Sequence, residues 1–161
     1  MISAMTSLVV VHTLLSLAGI VAGFAVLYGF VTANRLDTWT AAFLAATATT
    51  SLVGFLFASE QTLPLHKLGI TSLVVVAAAF TARYVYKLAG MWRTIFVAAA
   101  VLALYLNVFL GIVQAFRKIP ALHALAPTQT EPPYLTAQFL ALVLFIVGGI
   151  VCAIRFHPAP R

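Results

Sequence analysis

Apolar residues run almost unbroken through five stretches: Met5–Val31, Trp39–Phe57, Leu63–Leu88, Trp92–Phe116 and Tyr134–Ile154. Each is close to or above the ~20 residues that an α-helix needs to cross ~30 Å of hydrocarbon. The pattern predicts an all-α, polytopic transmembrane bundle of five membrane-spanning helices, with residues 1–161 as a single transmembrane domain. The polar breaks supply the punctuation. Asp37 and Thr38 can cap the second helix, and Thr62 with Pro64 can open the third. Gly90 reads as the stop of the third helix, with the fourth starting almost at once at Trp92. Pro132 and Pro133 open the fifth, where a missing N–H is no loss. The longest connector is Arg117–Pro133, and its Pro120–Pro127 portion is expected to make one or two helical turns. Thr128-Gln129-Thr130-Glu131 matches a capping box. The following prolines argue against it and leave Glu131 as an anion near the positive end of the fifth helix.

Composition agrees with the runs. Hydrophobic residues are 63% of the chain and charged residues 7%, too few charges to cover a soluble domain of this size. The net charge of +6 comes from basic residues scattered at helix ends, which argues against a nucleic-acid partner. One cysteine, Cys152, leaves no internal disulfide and no thiolate zinc site. Across the five helices, Lys67, Arg117 and Lys118 fall on one side of the membrane. Arg35, Arg83, Lys87, Arg93, Arg155 and Arg161 fall on the other. The richer side is expected to be cytoplasmic, which places the N-terminus outside and the C-terminus inside. Trp39 and Trp92, with Tyr84 and Tyr86, would line that inner interface. Met1–Thr6 holds no Lys or Arg, so the first run reads as a retained helix and not a signal peptide. With no targeting signal legible, a bacterial-type plasma membrane is the expected compartment.

Polar side chains inside the spans are the functional candidates, because lipid makes each one expensive. His12, Asn107, Gln114 and Gln138 all fall in the outer third. Asn107 and Gln114 stand ~10.5 Å apart on nearly one face of the fourth helix, with Gly111 between them. Glu60, Arg117 and Glu131 crowd the outer rim. Together these residues predict an outward-facing pocket for a small amphipathic or lipid-like ligand. Alternatively, the chain is an accessory subunit of a larger membrane complex. A haem-binding electron-transfer role would use His12 with His66 or His123 as axial ligands. No hydrolase, phosphate-loop or dinucleotide motif is present, so a non-catalytic role is expected. Arg83 lies close enough to the inner interface to extend its head into water. Gly19-x-x-x-Gly23 and the alanines of the second helix suit close helix packing, within one chain or in a homodimer. Thr47, Thr49, Thr50 and Ser51 are expected to bond back to their own helix carbonyls.

Overall fold

The computed structural model describes residues 2–54 and 63–158, with side chains over 9–54 and 67–158. These residues are helical throughout apart from short connectors, with no strand among them. The elements are α1 (Ile2–Val31), α2 (Asp37–Gly54), α3 (Leu63–Phe80), α4 (Met91–Lys118), α5 (Pro120–Leu125) and α6 (Pro132–Arg155). A π-helical turn, Thr81–Val85, extends α3. Among the described residues, four segments are long and apolar enough to cross a membrane: Val9–Val31, Lys67–Val85, Met91–Lys118 and Pro132–Arg155. The chain is therefore a membrane protein built as a helix bundle. Helix α2 is 18 residues long, and its threonines lower its hydropathy.

Neighbouring helices alternate in direction. The contacts of α1 with α4 run from Gly19 beside Asn107, through Gly23 beside Leu104, to Phe30 on Phe96. Helix α2 runs back along α1, with Thr47 beside Gly19 and Phe43 beside Gly23. Ser51 meets Ser72 of α3 at 3.1 Å, and Gly149 of α6 packs on Val101 of α4. The two glycines of the Gly19-x-x-x-Gly23 pair thus face α2 and α4 of the same chain. They serve packing inside the bundle, where a missing side chain lets backbones approach.

Three elements differ from the sequence expectation. The third helix does not run to Leu88. Its last turn widens, with the Tyr86 N–H bonded to the Thr81 carbonyl and the Leu88 N–H to the Ala82 carbonyl, both at 3.0 Å. Gly90, at φ +52, stands before α4 and is not the stop of α3. Thr50 bonds back to its own helix at Ala46 as expected, but Thr47 and Ser51 reach across to other helices. The expected turns in the long connector form as α5, and Pro132 and Pro133 occupy the first turn of α6.

The C-terminal ends of α1 and α6 and the N-terminal end of α4 close on an aromatic cluster. Phe30 packs on Phe96 at 5.4 Å and on Phe156 at 4.7 Å between ring centroids. All three are fully buried. The Arg93 guanidinium donates to the Phe156 carbonyl at 3.1 Å, which ties down the chain just after α6. Tyr86 stacks on Trp92 at 3.7 Å across the α3–α4 connector.

Candidate functional site

The most elaborate polar arrangement lies beside this aromatic cluster, at the opposite end of the bundle from the polar residues singled out above. Arg83 sits in the π turn with only 5% of its side chain exposed. It does not extend into water. Its guanidinium forms an ion pair with Asp37, the first residue of α2, and donates to the Arg35 carbonyl at 3.2 Å. Its Cζ lies over the Phe96 ring at 5.1 Å and over the Tyr84 ring at 5.7 Å from the centroids. Cation–π contacts of this kind strengthen when water is excluded. Asp37 is 46% exposed and sits at the positive end of α2, where an anion is favoured.

A groove of about 510 Å3 opens between α2 and α3, and Tyr84, which follows Arg83 in the chain, is among its lining residues. Ala41, Leu44, Ala45 and Ala48 form its α2 wall, and Val76, Phe80 and Tyr84 are among the residues of its α3 side. Alanine at three successive turns keeps the α2 surface low, so the larger side chains of α3 do not fill the space between the helices. The lining is almost entirely hydrocarbon. Only the side chains of Thr81 and Tyr84, at the Arg83 end, bring hydroxyl groups. The volume lies within the ~300–1,000 Å3 range of small-molecule sites.

The residues expected to share an outer pocket engage separately. Asn107 donates from its side-chain amide to the Thr47 hydroxyl at 2.9 Å, joining α4 to α2. Gln138 donates to the Phe109 carbonyl of α4 at 3.3 Å and to the Tyr134 hydroxyl at 3.1 Å. Gln129, from the connector, donates to the Val113 carbonyl at 2.9 Å. Two carbonyls one turn apart on α4 are thereby bound by glutamines from the α5–α6 region. Gln114 and Arg117 are exposed, and His12 is half-buried on α1. Gly111 does leave space, with Ile20 at its edge. Glu60 lies outside the described residues, as does the side chain of His66. His123 is exposed on α5. Among the described residues, no group of three or more His, Cys, Asp or Glu could hold a metal ion.

Glu131 stands directly before α6, at the positive end where the sequence places it, and also takes up part of the capping-box pattern. Its carboxylate folds back into the connector and accepts from the Thr128 hydroxyl at 2.8 Å, the Thr128 N–H at 3.1 Å and the Thr130 N–H at 3.0 Å. One half of the capping box therefore forms, outside any helix. Desolvation raises the Glu131 pKa, but hydrogen bonds from the Thr128 hydroxyl and from the backbone N–H groups of Thr128, Glu131 and Thr130 outweigh it. The carboxyl is held below its ordinary value of 4.5. A depressed carboxyl contributes stability that is complete above the unfolded value and lost as pH falls through the folded one. The Thr128 and Thr130 amide resonances should therefore titrate with a midpoint below pH 4.5, and Glu131→Gln should abolish that titration. A midpoint above 4.5 would contradict the hydrogen-bonded loop.

No protein-family model, curated protein or solved structure matches this chain. The functional reading rests on the residues alone. Sequence reasoning missed the Arg83–Asp37 pair, although a signal was present. Arg83 is one of three charged residues in the third apolar run, with Lys67 and Lys87, and Asp37 is one of only three acids in the chain.

Proposed function

We infer that this chain is a non-catalytic integral membrane protein that holds a lipid-like ligand, with the ligand's hydrocarbon lying in the α2–α3 groove. The observation that carries this reading is the groove itself, an alanine-walled apolar slot of about 510 Å3 with hydroxyl groups at one end only. That distribution suits a molecule with one long apolar part and a polar head. The reading moves away from the outer polar cluster because the side-chain NH2 groups of Asn107 and Gln138 are already donated to other helices.

The same reading makes α2 a fifth span. Helix α2 runs antiparallel along α1 and beside α3, both of which have segments apolar enough to cross. At 18 residues it is about 27 Å long. Its hydroxyls at Thr47, Thr50 and Ser51 are hydrogen-bonded within the bundle, so they add little cost in lipid. Five spans with the arginine-rich connectors inside place the N-terminus outside and the Arg83 end of the groove at the cytoplasmic surface.

Lipid extracted from detergent-purified protein tests the groove. Ala45→Phe and Ala77→Phe put a large ring into the slot. They should lower the retained lipid to the level of detergent exchange while leaving the helical content intact. Unchanged lipid in both folded variants would sink the reading.

A further inference from the structure

Charge and hydrogen-bonding capacity at the groove's mouth narrow the ligand class. Asp37, Ala41, Ala45 and Ala48 are spaced to share one face of α2, so the acidic residue heads the alanine wall of the groove. The Arg83 guanidinium reaches this point from α3 and also bonds the Arg35 carbonyl. An arginine carries five N–H donors. At Arg83, Nη2 serves both Asp37 and the Arg35 carbonyl. The Arg83 Nη1 and Arg35 Nε atoms are buried with no hydrogen-bond partner among the described residues. Buried donors without acceptors are costly, and an acceptor-rich group that reached them would relieve that cost. Arg35, Arg83 and Lys87 bring three cations to this end of α2 and α3, against the single anion Asp37, which Arg83 already neutralises.

We propose that the occupant of the groove is an anionic phospholipid, its phosphate bound by the Arg35 and Arg83 guanidiniums and one acyl chain laid along the α2 alanines. This inference rests on the groove being a lipid site. Phosphate oxygens match the planar fork of guanidinium N–H groups. A choline head would instead bring a fixed positive charge next to Arg35 and Lys87. The hydroxyls of Thr81 and Tyr84 lie at the same end of the slot, where the glycerol backbone of such a lipid would pass.

Native mass spectrometry of the full-length protein tests this, using equimolar phosphatidylglycerol and phosphatidylcholine with identical acyl chains. Phosphatidylglycerol should be retained over phosphatidylcholine by about fivefold or more, the scale of one basic residue acting on an anionic lipid. Arg35→Gln leaves the Arg35 carbonyl and the Arg83–Asp37 pair in place. It should bring the ratio towards one without changing the melting temperature. Equal retention of both lipids by the wild type would overturn the inference, as would an unchanged preference in Arg35→Gln. If wild type shows no preference and Ala45→Phe removes both lipids, the groove reading stands and only the anionic head is refuted. If Ala45→Phe removes neither, the groove reading fails and this inference fails with it.

Discussion

Replacing Asp37 with Ala should destabilise the protein by about 3 kcal/mol, whereas Arg83→Met should cost under about 1 kcal/mol. The asymmetry follows from burial. Removing Asp37 takes the carboxylate from a guanidinium that is only 5% exposed. Water cannot easily replace it, although the 46% exposure of Asp37 admits some and holds the loss near the lower end of the range for broken buried pairs. Removing Arg83 leaves a half-exposed carboxylate at the positive end of α2, where solvent and the helix dipole both support it. Methionine fills the slot against Phe96 and Tyr84 with matching apolar bulk. The double variant should resemble Arg83→Met alone, because no buried charge remains to be stranded. Reversible unfolding in mixed detergent micelles measures all three variants. If Arg83→Met proved the more damaging single change, the guanidinium would be acting through its cation–π and carbonyl contacts and not through Asp37.

The second large effect is at Gly23. A Cβ there would lie 2.5 Å from Leu104 Cδ1 and 3.0 Å from Phe43 Cε2. Both neighbours are completely buried, so neither can swing away. Gly23→Ala should cost about 1–3 kcal/mol by overpacking. Gly19→Ala, one turn earlier, meets Ala46 Cβ at an ordinary 3.4 Å and should be neutral or slightly stabilising through helix propensity. Trimming the obstacle tests the cause. Gly23→Ala combined with Leu104→Ala should be less destabilised than the sum of the two singles by about 1 kcal/mol. Strict additivity would mean that the damage arises elsewhere, for instance in an intermolecular contact of the Gly19–Gly23 face.

Much of the architecture was legible in the sequence. The apolar runs ending at Val31, Phe116 and Ile154 correspond to α1, α4 and α6, because a membrane span needs only length and hydrocarbon, both local properties. Pro132 and Pro133 marked the start of α6 for an equally local reason. The third apolar run predicts a helix to Leu88, and the helical backbone ends three residues earlier at Val85. Its last turn is α-like in composition, and nothing in Thr81–Val85 announces a π turn. That widening also changes the direction in which Arg83 points, since an extra residue in a turn rotates what lies within it relative to an α-helical continuation. An arginine near a helix end therefore suggested a head extended into water, while the folded chain buries it.

The candidate site was harder to read. Asn107 and Gln138 are polar residues within apolar runs, but position along a run says nothing about the direction in which each side chain points. Asn107 meets Thr47 from sixty positions away, and Asp37 meets Arg83 across forty-six. Which of these groups are spent on helix contacts depends on how each helix is rotated about its axis, and that rotation is set by packing. The sequence by itself determined the solvent, the helical class and the costly residues, because lipid imposes those terms on each segment separately. Only the tertiary structure decided that the Asn107 and Gln138 amides serve as helix–helix bonds, that Arg83 is buried against Asp37, and that an alanine-rich wall leaves a groove between α2 and α3. Those are relations between segments, fixed when the helices settle against one another.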